Sequence, residues 1–521
     1  MANLSADLTL INTNVRTMNL QQPIAEAIAI KRNKIIKVGT THEINQLIGK
    51  NTIVISLSGM TVVPGLIDTH IHVADFGKCL LWLDLTSAQS IDDVQSLLKN
   101  KVKKTPVGKW IIGRGWNDSR FKEKRLLNLA DLDKVAYENP VILYHEAAML
   151  CAVNSKALAL AHVTRQTPNP SGGTIDRNSQ TDELSGILRD SATGLVWQFV
   201  PEPTAQELAE ATAVASQIIA EAGITSVGWI VLSENELPII QKLGAEGKLP
   251  IRVSVIVPYE LLKEIGDFKS SDKSKLHISG VFLRADGYLD SKTAALSLPY
   301  SDDPKNRGNL LLTKEILKAS VDATLAVGLQ PVLHAMGDEA VDEVLGVIER
   351  STDKDIRFRI EQAAVLNKQL IKRLKNLNVV VSVQPKVIAT EFTVWSATER
   401  LGIDRAKWLH PLRTLLKEGV KVAGGSDCPM EPLSPLLGIQ EAVMRESFNE
   451  QRLSVEQALR MYTLDAAYCS CEERIKGSIE EGKLADLTVL SDDPLVVRSS
   501  KIKDITVLLT IIDGKVVYSK R

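Results

Sequence analysis

The middle of this 521-residue chain alternates short apolar segments with amphipathic ones, and this alternation limits the possible fold more than any other feature. Segments such as "IRVSVIVP" and "VKVAGGSD" have the length and composition of buried strands, and "TAQELAEATAVASQIIAEA" has helical periodicity. The eight candidate strands end near His72, Val227, Val257, Asp286, His334, Glu361, Gln384 and Asp427. Strands that alternate with helices form parallel sheets, and eight such units close into a TIM barrel. We therefore predict an α/β protein built on a (β/α)8 barrel.

The two ends of the chain have a different sequence pattern. Residues 1–60 and 478–521 contain short β-rich runs separated by turn residues, which predicts one small β-sandwich domain built from both termini. The barrel domain then covers 61–477. About 150 residues separate its first and second strands, which is too long for a barrel loop. We therefore expect an inserted subdomain after the first strand, at about 78–200.

Composition and charge exclude several classes of function. The formal net charge is -1, so broad electrostatic attraction to nucleic acid or to an anionic membrane is not expected. The five cysteines are scattered, as in a protein of a reducing compartment. The segment "MANLSADLTL" does not resemble a signal peptide, and no apolar run is long enough to span a bilayer. We expect a cytoplasmic protein that acts on a small molecule. The oligomeric state stays open, with a homodimer as one option.

The segment "VVPGLIDTHIH" ends in two histidines that are two residues apart. In a strand, His70 and His72 point to the same side. His334 and Asp427 close two other candidate strands, and the carboxyl ends of all barrel strands meet at one edge. Three imidazoles and one carboxylate suit Zn²⁺, or Fe²⁺, with one position left for water. The sequence therefore predicts one divalent metal ion at this edge.

The other interpretation of these histidines is structural. It remains open for the His70 and His72 pair, which could merely pack the barrel. We prefer it for four histidines that have no partner at ligand spacing, namely His42, His162, His277 and His410.

Several longer motifs resemble the amidohydrolase superfamily. They are "PGLIDTHIH", "HAMGDEAVDEVL", "GGSDCPMEPLSPL" and "KGSIEEGKLADLTVL". Others, such as "GKWIIGRGWN", "ADGYLDSKTAALSLPY" and "VSVQP", resemble the amidohydrolase 3 branch, which includes N-substituted formamide deformylases. The resemblance covers essentially the whole chain. It implies a metal-dependent TIM barrel that hydrolyses a C–N bond, with metal ligands at His70, His72, His334 and Asp427. It also implies that Asp427 is the carboxylate that moves the proton.

The sequence departs from that branch at three positions. Phe282 stands where the branch usually has a metal-bridging lysine, and Gln362 where it usually has a histidine ligand in "RIEH". Met149 replaces a histidine of the inserted segment, for which His145 is a candidate substitute. Arg284, two residues after Phe282, faces the same side and would repel a second cation. A substitute ligand such as His145, Glu146 or Glu361 is the route by which a second metal could still bind. We therefore predict one metal ion rather than two.

We predict a hydrolase of a C–N bond other than a peptide bond, in an amide or formamide-like small molecule. The metal activates water and Asp427 acts as the general base. Two alternatives remain open: a mononuclear deaminase of a cyclic substrate, and a weakly active or inactive relative that only binds its ligand. The candidate substrate-lining residues are Trp116, Met149, Arg284 and Gln362.

Overall fold

The computed structural model describes residues 5–146, 150–270, 272–351 and 356–520. Eight parallel strands form one sheet, in which each strand pairs with the next along the chain. In chain order these strands, β1 to β8, are Leu66–Ile71, Ile224–Ile230, Arg252–Pro258, Leu276–Arg284, Gln330–Ala335, Arg359–Gln362, Val380–Val383 and Lys421–Gly424. Their residues are largely buried, as expected for a parallel sheet covered by helices.

The barrel closes where the chain leaves β8 and passes β1. The Asp427 amide donates to the His70 carbonyl oxygen at 2.8 Å, and the Ser426 amide donates to Asp68 Oδ1 at 2.9 Å. Gly425 permits this contact, because a β-carbon there would lie 2.7 Å from the His70 nitrogen. The seam therefore fixes Asp427 beside the histidine-bearing end of β1.

Helices connect the barrel strands and bury one face against them. The principal ones are Ala205–Glu221, Glu236–Ala245, Lys314–Ala326, Asp338–Glu349, Lys368–Asn376, Pro385–Thr393, Leu412–Glu418, Pro435–Met444, Val455–Met461 and Leu464–Cys469. Several begin with a side-chain cap; Thr313 and Asn367, for example, accept hydrogen bonds from first-turn amides.

Strands from both ends of the chain share one sheet. Leu487–Leu490 pairs antiparallel with Thr61–Pro64, and a six-stranded sheet extends from this pair. Its other strands are Lys515–Ser519, Val507–Ile512, Asn14–Arg16 and Ile24–Ala25. A four-stranded sheet is formed by Lys34–Gly39, Ala27–Lys31, Leu8–Ile11 and Ile53–Ser56. Residues of both sheets, such as Leu10, Ile28, Leu487 and Ile511, pack into one hydrophobic core. The two sheets thus form a sandwich.

Residues 75–212 form a second compact unit, separate from the unit of 1–74 and 213–521. Its six-stranded mixed sheet is ordered Gly173–Arg177, Leu184–Asp190, Leu150–Val153, Val141–His145, Ile111–Trp116 and Leu83–Asp84. Its helices include Ile91–Val102, Leu129–Ala136 and Ser155–Leu160, and Val73–Leu81 leads into it.

The predicted fold class is confirmed: a (β/α)8 barrel, a β-sandwich from both termini, and an insertion after the first barrel strand. Among the described residues, no helix combines the length and apolar character needed to cross a bilayer.

Candidate metal centre

His70 and His72 project from the end of β1 toward the same carboxylate. Nε2 of His70 lies 3.5 Å from Asp427 Oδ1, and Nε2 of His72 lies 3.3 Å from the same oxygen. Ligand atoms of these three residues all lie within 4.8 Å of one another. Among the described residues, His70, His72 and Asp427 form the group of three potential ligands whose ligand atoms lie this close together. The structure thus brings together three of the four predicted ligands.

Hydrogen bonds to the other ring nitrogens orient both imidazoles. Nδ1–H of His72 donates to the Ile230 carbonyl oxygen at 3.0 Å, and Nδ1–H of His70 donates to Glu361 Oε2 at 2.5 Å. A carbonyl oxygen and an ionised carboxylate only accept, so each Nε2 keeps its lone pair for a cation. The donor set therefore fits a divalent metal ion with imidazole and carboxylate ligands.

Glu361 is held from two sides. Arg359, two residues earlier on β6, donates from Nε to the other Glu361 oxygen, and both side chains are fully buried. Burial would raise the pKa of Glu361, but the charges of Arg359 and His70 lower it to about 2. Glu361 is therefore a carboxylate that positions His70. Each of its two oxygens accepts a hydrogen bond from one of these residues.

Asp427 lies at a turn of unusual backbone conformation. Its φ is 60°, in the left-handed region that non-glycine residues seldom adopt. Desolvation opposes its charge, but His70, His72 and His334 lower the pKa of the carboxyl group below its ordinary value. The carboxylate is thus ionised at neutral pH and directed at the imidazoles.

His334, on β5, is buried but does not join the group of three ligating side chains. Its Nε2 donates to the Gly287 carbonyl oxygen at 3.2 Å, so Nδ1 is the nitrogen left with a lone pair. Desolvation lowers the pKa of His334 to about 4, which keeps the imidazole neutral. The structure thus places the fourth predicted ligand at the end of another barrel strand, outside the 4.8 Å group.

Phe282 fills the face of β4 that lies next to these histidines. Its ring centroid is 6.5 Å from that of His70 and 6.3 Å from that of His334. Gln362 ends β6 with φ 70°, and its buried Oε1 has no hydrogen-bond partner within the described part of the chain. An aromatic ring and a neutral amide therefore occupy the positions where the amidohydrolase 3 branch usually has a lysine and a histidine.

Three residues singled out in the sequence belong to the second unit: Trp116 as a pocket residue, and His145 and Glu146 as substitute ligands. Trp116 is fully buried in its core, where Nε1–H donates to the Leu143 carbonyl oxygen. His145 Nε2 lies 3.3 Å from Asp118 Oδ1, and Glu146 accepts from Arg120 at 2.9 Å. Among the described residues of this unit, the contacts of Trp116 are those of a core residue. Met149 lies outside the described residues.

Two carboxylates that sequence reasoning did not select hold the strand ends in place. Asp286 accepts hydrogen bonds from the amides of Ala295, Met336 and Gly337, and Asp68 accepts from Ser426 and His70. Desolvation raises the pKa of each to about 6. For Asp68, the signal that could have found it is a charged residue inside the otherwise apolar strand Leu66–Ile71; Asp286 follows the end of β4, two residues after Arg284. A charged residue in "RIEQ" likewise draws attention to Glu361, but its role becomes clear only from its hydrogen bonds.

The four histidines predicted to be structural take no part in the group of ligating side chains. His410 is fully buried, with its Nε2 3.1 Å from Glu391 Oε2.

Comparison with known proteins places the chain among metal-dependent hydrolases. A family model described as "Amidohydrolase family" matches residues 53–518. The putative amidohydrolase YtcJ of Bacillus subtilis (strain 168) is 33% identical over 97% of this chain and 98% of that protein. The N-substituted formamide deformylase of Arthrobacter pascens is 27% identical over 99% of this chain and 98% of that protein.

A solved structure supports the same relationship. An uncharacterised metal-dependent hydrolase from Pyrococcus horikoshii OT3 superposes with a TM-score of 0.76 and 28% identity. The match covers 95% of this chain and 99% of that one.

Proposed function

Because the chain belongs to the amidohydrolase family and is thus a hydrolase of C–N bonds, we propose that it hydrolyses an amide or formamide-like small molecule, not a peptide, with one divalent metal ion. The observation that carries this proposal is the convergence of His70, His72 and Asp427 within 4.8 Å at the carboxyl ends of the barrel strands. Water adds to the carbonyl carbon, the C–N bond breaks, and a carboxylic acid and an amine leave.

The proposed ligands are His70, His72, His334 and Asp427. Zinc is the proposed ion, with ferrous iron second, because imidazole and carboxylate donors suit both. A divalent cation bound there supplies Lewis acidity and lowers the pKa of a coordinated water toward neutrality.

Asp427 is the proposed proton carrier. Its carboxylate is ionised at neutral pH, lies against both imidazoles, and can take a proton at an oxygen atom. The same group then returns the proton to the leaving nitrogen, which cannot depart as an amide anion. His70 is held in the required tautomer by Glu361, and His72 by the Ile230 carbonyl oxygen.

The residues around this group support the proposal of a single metal ion. Phe282 offers no ligand atom, and Gln362 offers only a neutral amide. The carboxylate of Glu361 is used by Arg359 and His70. A second cation would therefore find fewer protein ligands than the three or four of stable zinc sites.

The test is turnover by zinc-loaded protein on a panel of N-substituted formamides, acetamides and cyclic amidines, followed by amine or ammonia release. We expect hydrolysis of a formamide or an acetamide that is lost after dialysis against a chelator and restored by Zn²⁺. Asp427→Asn should remove it, whereas Asp322→Asn, which changes an exposed helix carboxylate, should not.

Two results would replace the proposal. Ammonia release from cyclic amidines alone would establish the deaminase. Metal-dependent binding of panel compounds without turnover of any of them would establish a binding protein.

A further inference from the structure

Arg284 is an exposed arginine at the carboxyl end of β4, in register with His334 on β5. It lies two residues after Phe282, whose ring faces His70 and His334. Residues two apart in a strand share a face. The Arg284 side chain therefore belongs to the face of β4 that borders the proposed metal centre.

This guanidinium has no carboxylate within 4.0 Å among residues 5–146, 150–270, 272–351 and 356–520. Other arginines of the barrel strands differ: Arg359 pairs with Glu361, and Arg252 pairs with Asp486 at 2.6 Å. The Arg284 guanidinium and a metal ion bound nearby would repel each other, and an anion between them would offset that repulsion. Arg284 is thus available to a ligand rather than committed to the fold.

Tyr288 lies near both the Arg284 guanidinium and the proposed metal ligand His334. The Arg284 guanidinium carbon lies 6.0 Å from the centroid of the Tyr288 ring, and that ring lies 5.2 Å from the His334 ring. The phenol therefore lies between the guanidinium and the residues proposed to carry the chemistry.

We propose that Arg284, supported by Tyr288, binds a carboxylate of the substrate, so that the substrate is an amide or formamide with an acid group a few bonds from the scissile C–N bond. This inference rests on the proposed function and deepens it, because it names the substrate class of the same site. A guanidinium can hold a carboxylate by two parallel N–H···O bonds, a recognition that a neutral amide cannot match. Phe282, at the same face, offers apolar contact to the part of the substrate between the two groups.

The experiment compares free acids with their carboxamides. The probes are N-formyl and N-acetyl derivatives of glycine, alanine and phenylalanine, each in both forms. Binding to zinc-loaded protein is measured by calorimetry, separately from turnover. The variants are Arg284→Gln, Arg284→Lys and, as a control, Arg413→Gln, which changes an exposed arginine on the outer helix Leu412–Glu418.

We expect at least one free acid to bind more tightly than its carboxamide. Arg284→Gln should weaken that binding about 10- to 100-fold, the range for loss of a charge-assisted hydrogen bond, and should leave carboxamide binding unchanged. Arg284→Lys should recover part of the loss, and Arg413→Gln should bind as wild type. Equal binding of acids and carboxamides, or a preference for acids that survives Arg284→Gln, would overturn the inference. Arg284-dependent binding of acids without hydrolysis of any probe or panel compound would support the anion site and count against the proposed function alone.

Discussion

Nδ1 of His70 lies 2.5 Å from Oε2 of Glu361, and both side chains are buried. The bond joins β1 to β6 across the barrel. It orients an imidazole that is proposed to bind the metal, and it does so through a carboxylate whose other oxygen is held by Arg359. The proposed metal site is thus supported by two buried charged side chains, Glu361 and Arg359, which are not among the proposed ligands.

Replacing Glu361 by Gln should weaken metal binding. The neutral amide no longer holds His70 in one tautomer, so the dissociation constant for Zn²⁺ should rise about 10- to 100-fold, as for other changes of this kind. Competition with a chromophoric chelator measures it. The control is Glu391→Gln, since Glu391 is equally buried but pairs with His410. If both variants lose affinity equally, the effect comes from general destabilisation and Glu361 has no special role.

Protein purified without chelators should contain about one equivalent of divalent metal per chain, given the ligands available. Elemental analysis checks this. The His70→Ala/His72→Ala double variant should retain almost none, because it loses two of the three converging side chains. A His42→Ala/His162→Ala double variant serves as the control. Two tightly bound equivalents would contradict the single-metal prediction and indicate that further side chains act as ligands.

Asp427→Asn should leave the protein folded and reduce hydrolysis by about 10²- to 10⁴-fold, the usual cost of removing a general base. An amide cannot accept the proton, although its oxygen can still approach a cation. The measurement is kcat on whichever compound of the panel is turned over, together with metal content and far-UV circular dichroism. Wild-type turnover in this variant would falsify the assigned role.

A buried ion cluster joins the barrel to the sandwich and should make stability depend on pH. Arg252, at the start of β3, binds Asp486 and Asp513, and Lys275 lies 2.8 Å from Asp513. Burial opposes the charge of Asp513, but Lys275 and Arg252 lower its pKa below the ordinary value. Because the folded-state pKa is depressed, the stabilisation is complete above the unfolded-state pKa of about 4 and is lost as pH falls through the folded-state pKa.

The corresponding variant is Asp513→Asn. At pH 7.5 it should lower the free energy of unfolding by about 1–3 kcal/mol, the range for a hydrogen bond to a charged group. The difference from wild type should shrink below about pH 4. Urea unfolding followed by circular dichroism measures both. Asp492→Asn, at an exposed carboxylate of the same sheet region, should show neither effect. A difference that stays constant down to pH 3 would show that the charge of Asp513 is not responsible.

Much of the candidate site can be predicted from the sequence because the proposed ligands occupy strand ends. The separation of His70 and His72 by two residues predicts their common face, and the structure shows both Nε2 atoms directed at Asp427. The departures at Phe282 and Gln362 are also visible in the sequence. The sequence does not show the role of Glu361. A carboxylate at a strand end can be a metal ligand or the hydrogen-bond partner of a ligand, and only its hydrogen bonds distinguish the two roles.

The sequence by itself determined the fold class, since the alternation of apolar strands and amphipathic helices is a local property that short-range sterics and burial impose on each segment. It also determined which residues stand at the strand ends. Only the tertiary structure decided which of them meet. The contacts of His70 with Glu361 and of Asp427 with both histidines join residues 291 and more than 350 positions apart. Such contacts depend on how the barrel closes, on the close approach that Gly425 allows, and on the left-handed turn at Asp427. Those features arise from packing across the whole sheet, and no local pattern encodes them.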